Sequence, residues 1–419
     1  MVKRQLLCIS GRLRIQMIEA IKSQWPNRLP MHILVMTRIM PSHSLGGMQK
    51  QTMDLCTGFV DAGHEVTVIT TARTDGVESE VLHGVDIHYL RDCKPGYYGR
   101  KWNNLCRNKI TQLHQTKPID VIHSQSMGAI GVLGWAKRNS IPIVSTWHGT
   151  SLTEITTFFS SASYHPRYWH WLAIMPLRLM KRYITMDLAV RRASARITLV
   201  SPTLEKNMKT FAKNKVTTIP NGIELPEIRE KSDSGKVECI AIGRIEKEKG
   251  IHYAIRAIAN LSPEQRNSVV LNIVGEGAYL EALKRLVEQL SIGSEVVFHG
   301  RIDDDALSDI YHKSHIHIMP TTRQEGLPLT ILEGMAYGLT TIASDIGGIS
   351  GVISHNDDGF LIPPGNQSQL DKAFNTLLTD REKIDSCGKA ARQTIEQNYS
   401  KSQMVKSTLE VLTAALNDN

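Results

Sequence analysis

From Met31 onward, short apolar runs alternate with amphipathic stretches, a pattern that predicts strands separated by helices. His32-Ile33-Leu34-Val35-Met36 opens the series as a strand and Glu65 to Thr70 continues it, with a helix from Met48 to Val60 between them. Ile119 to His123, Pro142 to Thr146 and Arg196 to Val200 read as further strands. Strands joined by helices pair in parallel and are covered on both faces, so residues 31–219 predict one doubly wound domain. The pattern then breaks at Pro220, Asn221, Gly222 and Pro226, and charged and small residues carry on to Lys236, which marks 220–236 as a linker. Alternation restarts with strands at Val237–Ile242, Val269–Val274, Glu295–His299, His315–Met319 and Thr340–Ala343, defining a second domain over 237–397. Helical patterns near 367–378, 380–397 and 401–416 close the chain. The last, within 398–419, is long enough to return toward the first domain. The expected fold class is α/β, with two doubly wound domains facing across a cleft.

Composition narrows the function classes. With 419 residues, 41% hydrophobic and 21% charged, the chain is neither a disordered protein nor a polytopic membrane protein. Six widely spaced cysteines without a Cys-x2-Cys pair argue against a disulfide framework and a Cys-rich metal site, and fit a reducing cytoplasm. Residues 1–200 hold 25 Lys and Arg against 12 Asp and Glu, so all of the net +8 and more lies in the front half. Such a bias favours a phosphate-bearing substrate or an anionic membrane surface. Nucleic acid is not expected, because neither zinc-finger spacing nor an RNA-binding sheet signature is present. Trp169 to Val190 is too interrupted by charge to span a bilayer, yet its aromatics and basic residues fit either an interfacial helix or an amphipathic helix packed on its own domain. Residues 1–30 are basic, lack a signal-peptide pattern and read as an extension.

Open α/β sheets bind ligands beyond the carboxyl ends of their strands, so chemistry is sought in the loops that follow them. The loop Gly243-Arg244-Ile245-Glu246-Lys247-Glu248-Lys249-Gly250 places two cations, Arg244 and Lys249, where they could clamp a diphosphate. Its weaker neighbour, Gly275-Glu276-Gly277, reads as a turn. Arg323 to Glu333 is the richest segment. Pro328 suits a first helical turn, which would leave the amides of Leu329 and Thr330 free for a phosphate, and Glu325 and Glu333 could accept hydrogen bonds from sugar hydroxyls. Gly46-Gly47 ahead of the first helix lets backbone approach a ligand. His148, after another strand, fits a structural role or one hydrogen bond to substrate. Asp303-Asp304-Asp305 reads as a helix cap, and His312, His315 and His317 as structural, so no metal site is expected.

Together these segments resemble the family 4 retaining glycosyltransferases of the two-Rossmann-domain GT-B type, over nearly all of 31–419. The resemblance rests on Glu325-x7-Glu333 with Gly334-Met335-Ala336-Tyr337-Gly338 and Ser344-Asp345-Ile346-Gly347-Gly348. It is supported by Gly243-Arg244 with Lys249-Gly250, Pro220-Asn221-Gly222, Gly46-Gly47 and Trp147-His148-Gly149. It implies Arg244 and Lys249 on the donor diphosphate, Glu333 on the nucleotide ribose, Glu325 on the transferred sugar and His148 reaching that sugar from the opposite domain. Gly46, Gly47, Gly326, Leu329 and Thr330 complete the implied donor site, and Glu325, His148, Arg244 and Lys249 the implied catalytic set. Departures are Gly334 where Ala is frequent, Leu339-Thr340-Thr341 in place of a Pro-Val or Pro-Ile pair, and Gly351 where an acidic residue is frequent. The implied activity is transfer from a nucleotide sugar to a saccharide or lipid-linked acceptor in envelope polysaccharide, lipopolysaccharide or lipid-linked saccharide synthesis. No cofactor or metal is implied, and the setting is cytoplasmic or peripheral at the inner membrane face. Two alternatives share the architecture: a sugar-nucleotide epimerase and a non-catalytic nucleotide-binding subunit.

Overall fold

The computed structural model describes residues 30–44, 46–152, 154–155, 169–208, 215–229 and 235–418. The proposed extension, apart from Pro30, and Tyr168 lie outside the described residues. Eight strands form the front sheet: β1 (His32–Met36), β2 (Glu65–Thr71), β3 (Ser79–Leu82), β4 (Val85–Leu90), β5 (Val121–Gln125), β6 (Ile143–Trp147), β7 (Arg196–Leu199) and β8 (Val216–Thr218). Their spatial order is β3-β4-β2-β1-β5-β6-β7-β8, all parallel except the edge strand β3. Six parallel strands form the rear sheet: β9 (Val237–Ile242), β10 (Val269–Val274), β11 (Val296–Gly300), β12 (Ile316–Met319), β13 (Thr340–Ser344) and β14 (Gly359–Ile362). Their order is β11-β10-β9-β12-β13-β14.

Both sheets are buried on two faces, which is why their strands are runs of Val, Ile and Leu and not alternating patterns. Several details differ from the sequence pattern: β8 and β14 are not among the expected strands, and β6 and β11 each run one residue later than expected. Just ahead of β5, which starts at Val121, Asp120 is bonded twice to β1: its N donates to the His32 carbonyl at 3.0 Å and its Oδ2 accepts the His32 amide at 2.6 Å. The β3–β4 hairpin, absent from the apolar pattern, turns at His83-Gly84, both with positive φ. This is the backbone of a type I′ turn, and its half-exposed edge strand carries little hydrophobic signal.

Seven helices matter for the site: α1 (Gly47–Asp61), α2 (Arg100–Thr116), α3 (Trp169–Arg182), α4 (Asp304–Lys313), α5 (Leu329–Ala336), α6 (Arg381–Asn398) and α7 (Lys401–Asn417). Helix α7 lies on the front sheet, where Met404, Val405, Leu409 and Leu412 join the core with Ile33, Val35 and Phe59. The chain therefore passes between the sheets twice, and the two crossings are tied together. Ile223 donates to the Tyr399 carbonyl at 2.9 Å and accepts from Lys401 N at 2.8 Å. A second tie is apolar: Trp147, Leu199 and Leu204 of the front domain share one buried cluster with Leu327, Leu329 and Leu332 of the rear.

Strand order reverses beside β1 in the front sheet and beside β9 in the rear sheet. The loops after β1, β5, β9 and β12 thus leave their sheets at the two switch points, where open α/β folds bind ligands.

Candidate active site

The loops after β1, β5 and β12, with those after β6 and β13, line a cavity of about 210 Å³. Its rear wall is Arg323, Gln324, Glu325, Gly326 and Gly347; its front wall includes Arg38, Tyr98, Gln125, His148, Ser151, Glu154 and Asp187. The approach of the walls is close. A Cβ on Gly326 would lie 2.2 Å from the His148 carbonyl oxygen, so only glycine lets this loop meet the front domain.

Lys249 and Glu325, 76 residues apart in sequence, meet at 2.7 Å between Nζ and Oε1. Their side chains are 18% and 15% exposed, so the pair is largely withdrawn from water. The Lys249 loop is fixed to the end of β12, because the Glu248 carbonyl accepts from Thr322 N at 2.8 Å and Thr321 Oγ1 at 3.0 Å. Arg244, on the same loop, is exposed and makes no ion pair among the described residues.

Helix α5 begins at Leu329, and Pro328 is its cap and not its first helical residue. Its extended φ and ψ stop the helix there, a shift of one residue from the sequence expectation. Among the described residues no side chain caps this end. The amides of Leu329 and Thr330 therefore keep the positive end of the helix dipole open. Position is set by Asn221, which is buried and donates through Nδ2 to the Leu327 carbonyl at 2.8 Å. Gly46 and Gly47 form the start of α1 opposite: a Cβ on Gly47 would be 3.6 Å from Leu329 Cγ. Two helix N-termini thus converge from the two domains. Leu329 is buried, and Thr330 is half-buried with Oγ1 3.7 Å from Met319 Sδ.

Glu333, one turn into α5, is held by two side chains that the sequence did not single out. Lys50 of α1 reaches across the cleft to Oε1 at 2.5 Å, and Tyr311 of α4 donates to Oε2 at 3.2 Å. Burial lowers the Lys50 pKa, but Glu333, together with Asp54 and Asp304, more than offsets that and leaves it raised. The available signal for Lys50 was position alone: three residues after Gly47, it stands one turn into a helix that starts at the cleft.

His148 donates from Nε2 to Gln125 Oε1 at 2.8 Å, which leaves Nδ1 as the lone-pair nitrogen. Burial depresses its pKa to about 4, so the ring is neutral near pH 7. Its free Nδ1 can accept one hydrogen bond there, and the ring carries no charge. On the same wall Asp187 accepts from Ser151 N at 2.8 Å and Ser151 Oγ at 3.0 Å, and burial pushes its carboxyl above the usual range.

The structure therefore brings Glu325, Gly326 and His148 to one cavity, joins Lys249 to it through Glu325, and sets Gly46, Gly47, Leu329, Thr330 and Glu333 along the adjoining helix ends. The departure at Gly334 has a local cause: a Cβ there would lie 2.7 Å from Nδ1 of His317, whose ring is fully buried in β12. Asp303 caps α4, its Oδ1 accepting from Ala306 N at 2.8 Å. His312 is bonded to the Ser308 and Glu227 carbonyls, and His315 accepts from Glu238 N.

Residues 45–227 match the family model described as Glycosyltransferase Family 4, and residues 226–394 match the model described as Glycosyl transferases group 1. The chain belongs to the family 4 glycosyltransferases. This places it among transferases rather than epimerases. A relative, the sulfoquinovosyl transferase SQD2 of Arabidopsis thaliana, is 28% identical over 411 residues, spanning 92% of this chain and 74% of the plant protein. The sucrose-phosphate synthase of Thermosynechococcus elongatus has a similar structure, with a TM-score of 0.74 at 18% identity, covering 93% of this chain and 100% of that one. HepE of Anabaena, in complex with UDP-glucose, matches with a TM-score of 0.68 at 17% identity, over 92% of this glycosyltransferase and 100% of that chain. These likenesses show a GT-B fold of two parallel-sheet α/β domains.

Proposed function

We propose that this glycosyltransferase takes its sugar from a nucleoside-diphosphate sugar and passes it to an acceptor hydroxyl with retention at the anomeric carbon. The observation that carries the reading is the Lys249 and Glu325 pair, set on the loops that flank the uncapped start of α5 and facing His148 across the cleft. Charge develops on the departing diphosphate, so Lys249, Arg244 and the Leu329 and Thr330 amides accelerate the reaction to the extent that they hold it more tightly in the transition state. Glu325 accepts from hydroxyls of the transferred sugar, Glu333 from the ribose, and His148 bonds the sugar from the front domain. A double displacement would need a carboxylate nucleophile at the anomeric carbon. The front-face route expected of the family instead lets the leaving phosphate take the acceptor proton. Closure of the two domains, with Gly326 against His148, excludes water from the donor. That HepE was crystallised with UDP-glucose supports a nucleotide-sugar donor for this chain.

The test is a mass-spectrometric screen of nucleotide sugars with mixed saccharide and lipid-linked acceptors. The expected result is acceptor-dependent release of one nucleoside diphosphate and a glycosylated product. Binding of a nucleotide sugar without transfer or hydrolysis would favour a non-catalytic partner subunit.

The acceptor setting belongs to the same proposal: envelope polysaccharide or lipid-linked saccharide synthesis at an inner membrane face. Ile174, Leu177 and Ile184 lie on one outward stripe of α3 and its continuation, with Leu177 70% exposed, while Leu179 and Tyr183 face inward. Arg178 and Lys181 are exposed beside them. Among the described residues no helix is long and apolar enough to cross a membrane. An apolar stripe flanked by cations suits an anionic bilayer surface. Cosedimentation with vesicles containing phosphatidylglycerol is expected and should weaken with salt and in Leu177→Glu; equal sedimentation with neutral vesicles would contradict it.

A further inference from the structure

The polar groups of the cavity do not balance within the protein. Each carboxylate on its wall has a partner: Glu325 holds Lys249, Glu154 holds Arg182, and Asp187 accepts twice from Ser151. Arg323 lies 3.8 Å from Glu248. What remains over is a set of hydrogen-bond donors. The Arg38 guanidinium makes no hydrogen bond or ion pair among the described residues. Among the described residues Tyr98 Oη is buried without a partner, and so is Gln125 Nε2 once Gln125 Oε1 has taken His148. Gln125 is only 2% exposed.

All three come from the front domain. Arg38 follows β1 and Gln125 ends β5, the neighbouring strands at the switch point, and Tyr98 precedes α2 with its ring 4.9 Å from that of Trp102. A buried donor left unpaired is costly, so such a group is ordinarily completed by something that brings oxygen atoms. A planar five-donor guanidinium, a phenol and a primary amide, with no free carboxylate beside them, complement a compact anion. The cations placed for the donor diphosphate sit on the rear domain, which leaves the front-wall donors for the other substrate.

We propose that Arg38, Tyr98 and Gln125 form a subsite for an anionic group, a phosphate or carboxylate, carried by the acceptor. The word acceptor rests on the transferase reading above; the anion site itself does not. Inorganic phosphate is the probe, read as a saturable rise in Tm of the full chain. The rise is expected in the wild type and in Lys249→Ala, and is expected to be lost in Arg38→Gln and reduced in Tyr98→Phe, which removes one oxygen only. Absence of a saturable rise, or a rise kept in Arg38→Gln and lost in Lys249→Ala, would overturn the proposal.

Matched ligands then separate the sources. Glucose 6-phosphate and glucuronate should bind at least 10-fold more tightly than glucose to the wild type, with the preference gone in Arg38→Gln. If dependence on Arg38 appears only between UDP-glucuronate and UDP-glucose, the anion belongs to the donor sugar and the acceptor assignment is wrong. Should phosphate bind at Arg38 while no nucleoside diphosphate binds anywhere, the nucleotide-sugar reading fails and the anion site stands.

Discussion

Lys249 and Glu325 are two charges largely shielded from solvent, so removing one leaves the other without its partner, and this is a larger penalty than removing both. Turnover is expected to fall at least 100-fold in Lys249→Ala and in Glu325→Ala, with circular dichroism unchanged. The double variant should regain part of the lost Tm while remaining inactive; recovery of activity would mean that the pair is only structural. Residue types at these positions were legible from the sequence because the Gly-Arg…Lys-Gly loop and Glu325-x7-Glu333 both follow strands. Their partners were not. Lys50 and Tyr311 meet Glu333 from other helices, and Arg38 and Tyr98 stand in loops with no repeating pattern, so only the folded chain brings them into register.

The start of α5 is an element-level device. The helix offers two free amides, and its position depends on Asn221, which arrives from the crossing between domains to hold the Leu327 carbonyl. Asn221→Ala leaves that buried carbonyl unpaired, and we expect a stability loss of about 1–3 kcal/mol by urea denaturation together with a higher KM for the nucleotide sugar. A KM unchanged within error would show that the helix start is held by other contacts. Long buried strands such as β9 and β10 could be read from sequence to the residue, since a continuous apolar run flanked by turns has few alternatives. The β3–β4 hairpin escaped because its outer strand is half-exposed at a sheet edge, and the first residue of α5 moved by one because Pro328 can serve either inside the helix or just before it.

Across the whole molecule, the two domains are joined by a shared apolar cluster, a bridge between the crossings and the Lys50 pair with Glu333. That last contact is 55% exposed on the lysine side, so its own contribution is small, about 1 kcal/mol or less, but it spans the cleft. Lys50→Glu would place two carboxylates opposite each other, and small-angle scattering is expected to show a larger radius of gyration, restored by combining it with Glu333→Lys. Acid should weaken the fold for another reason. His123 and His317 are fully buried, and burial depresses their pKa values to about 3 and about 4. The unfolded chain binds their protons first, so stability is whole above about pH 6.5 and falls as pH drops below it, by roughly 2 kcal/mol for each ring at pH 5. A Tm that is flat from pH 7 to pH 5 would contradict this. Tandem doubly wound domains were legible because the strand and helix alternation occurs twice; how the lobes face each other was not, because it depends on Gly326 against His148 and on Lys50 reaching Glu333. The proposed transfer requires a diphosphate held at Lys249 and the start of α5. Titration calorimetry of UDP, GDP and ADP into the full chain tests this most directly: one of them should bind at one site per chain, at least 10-fold more weakly in Lys249→Ala. No binding by any of the three, or equal binding by the variant, would contradict it.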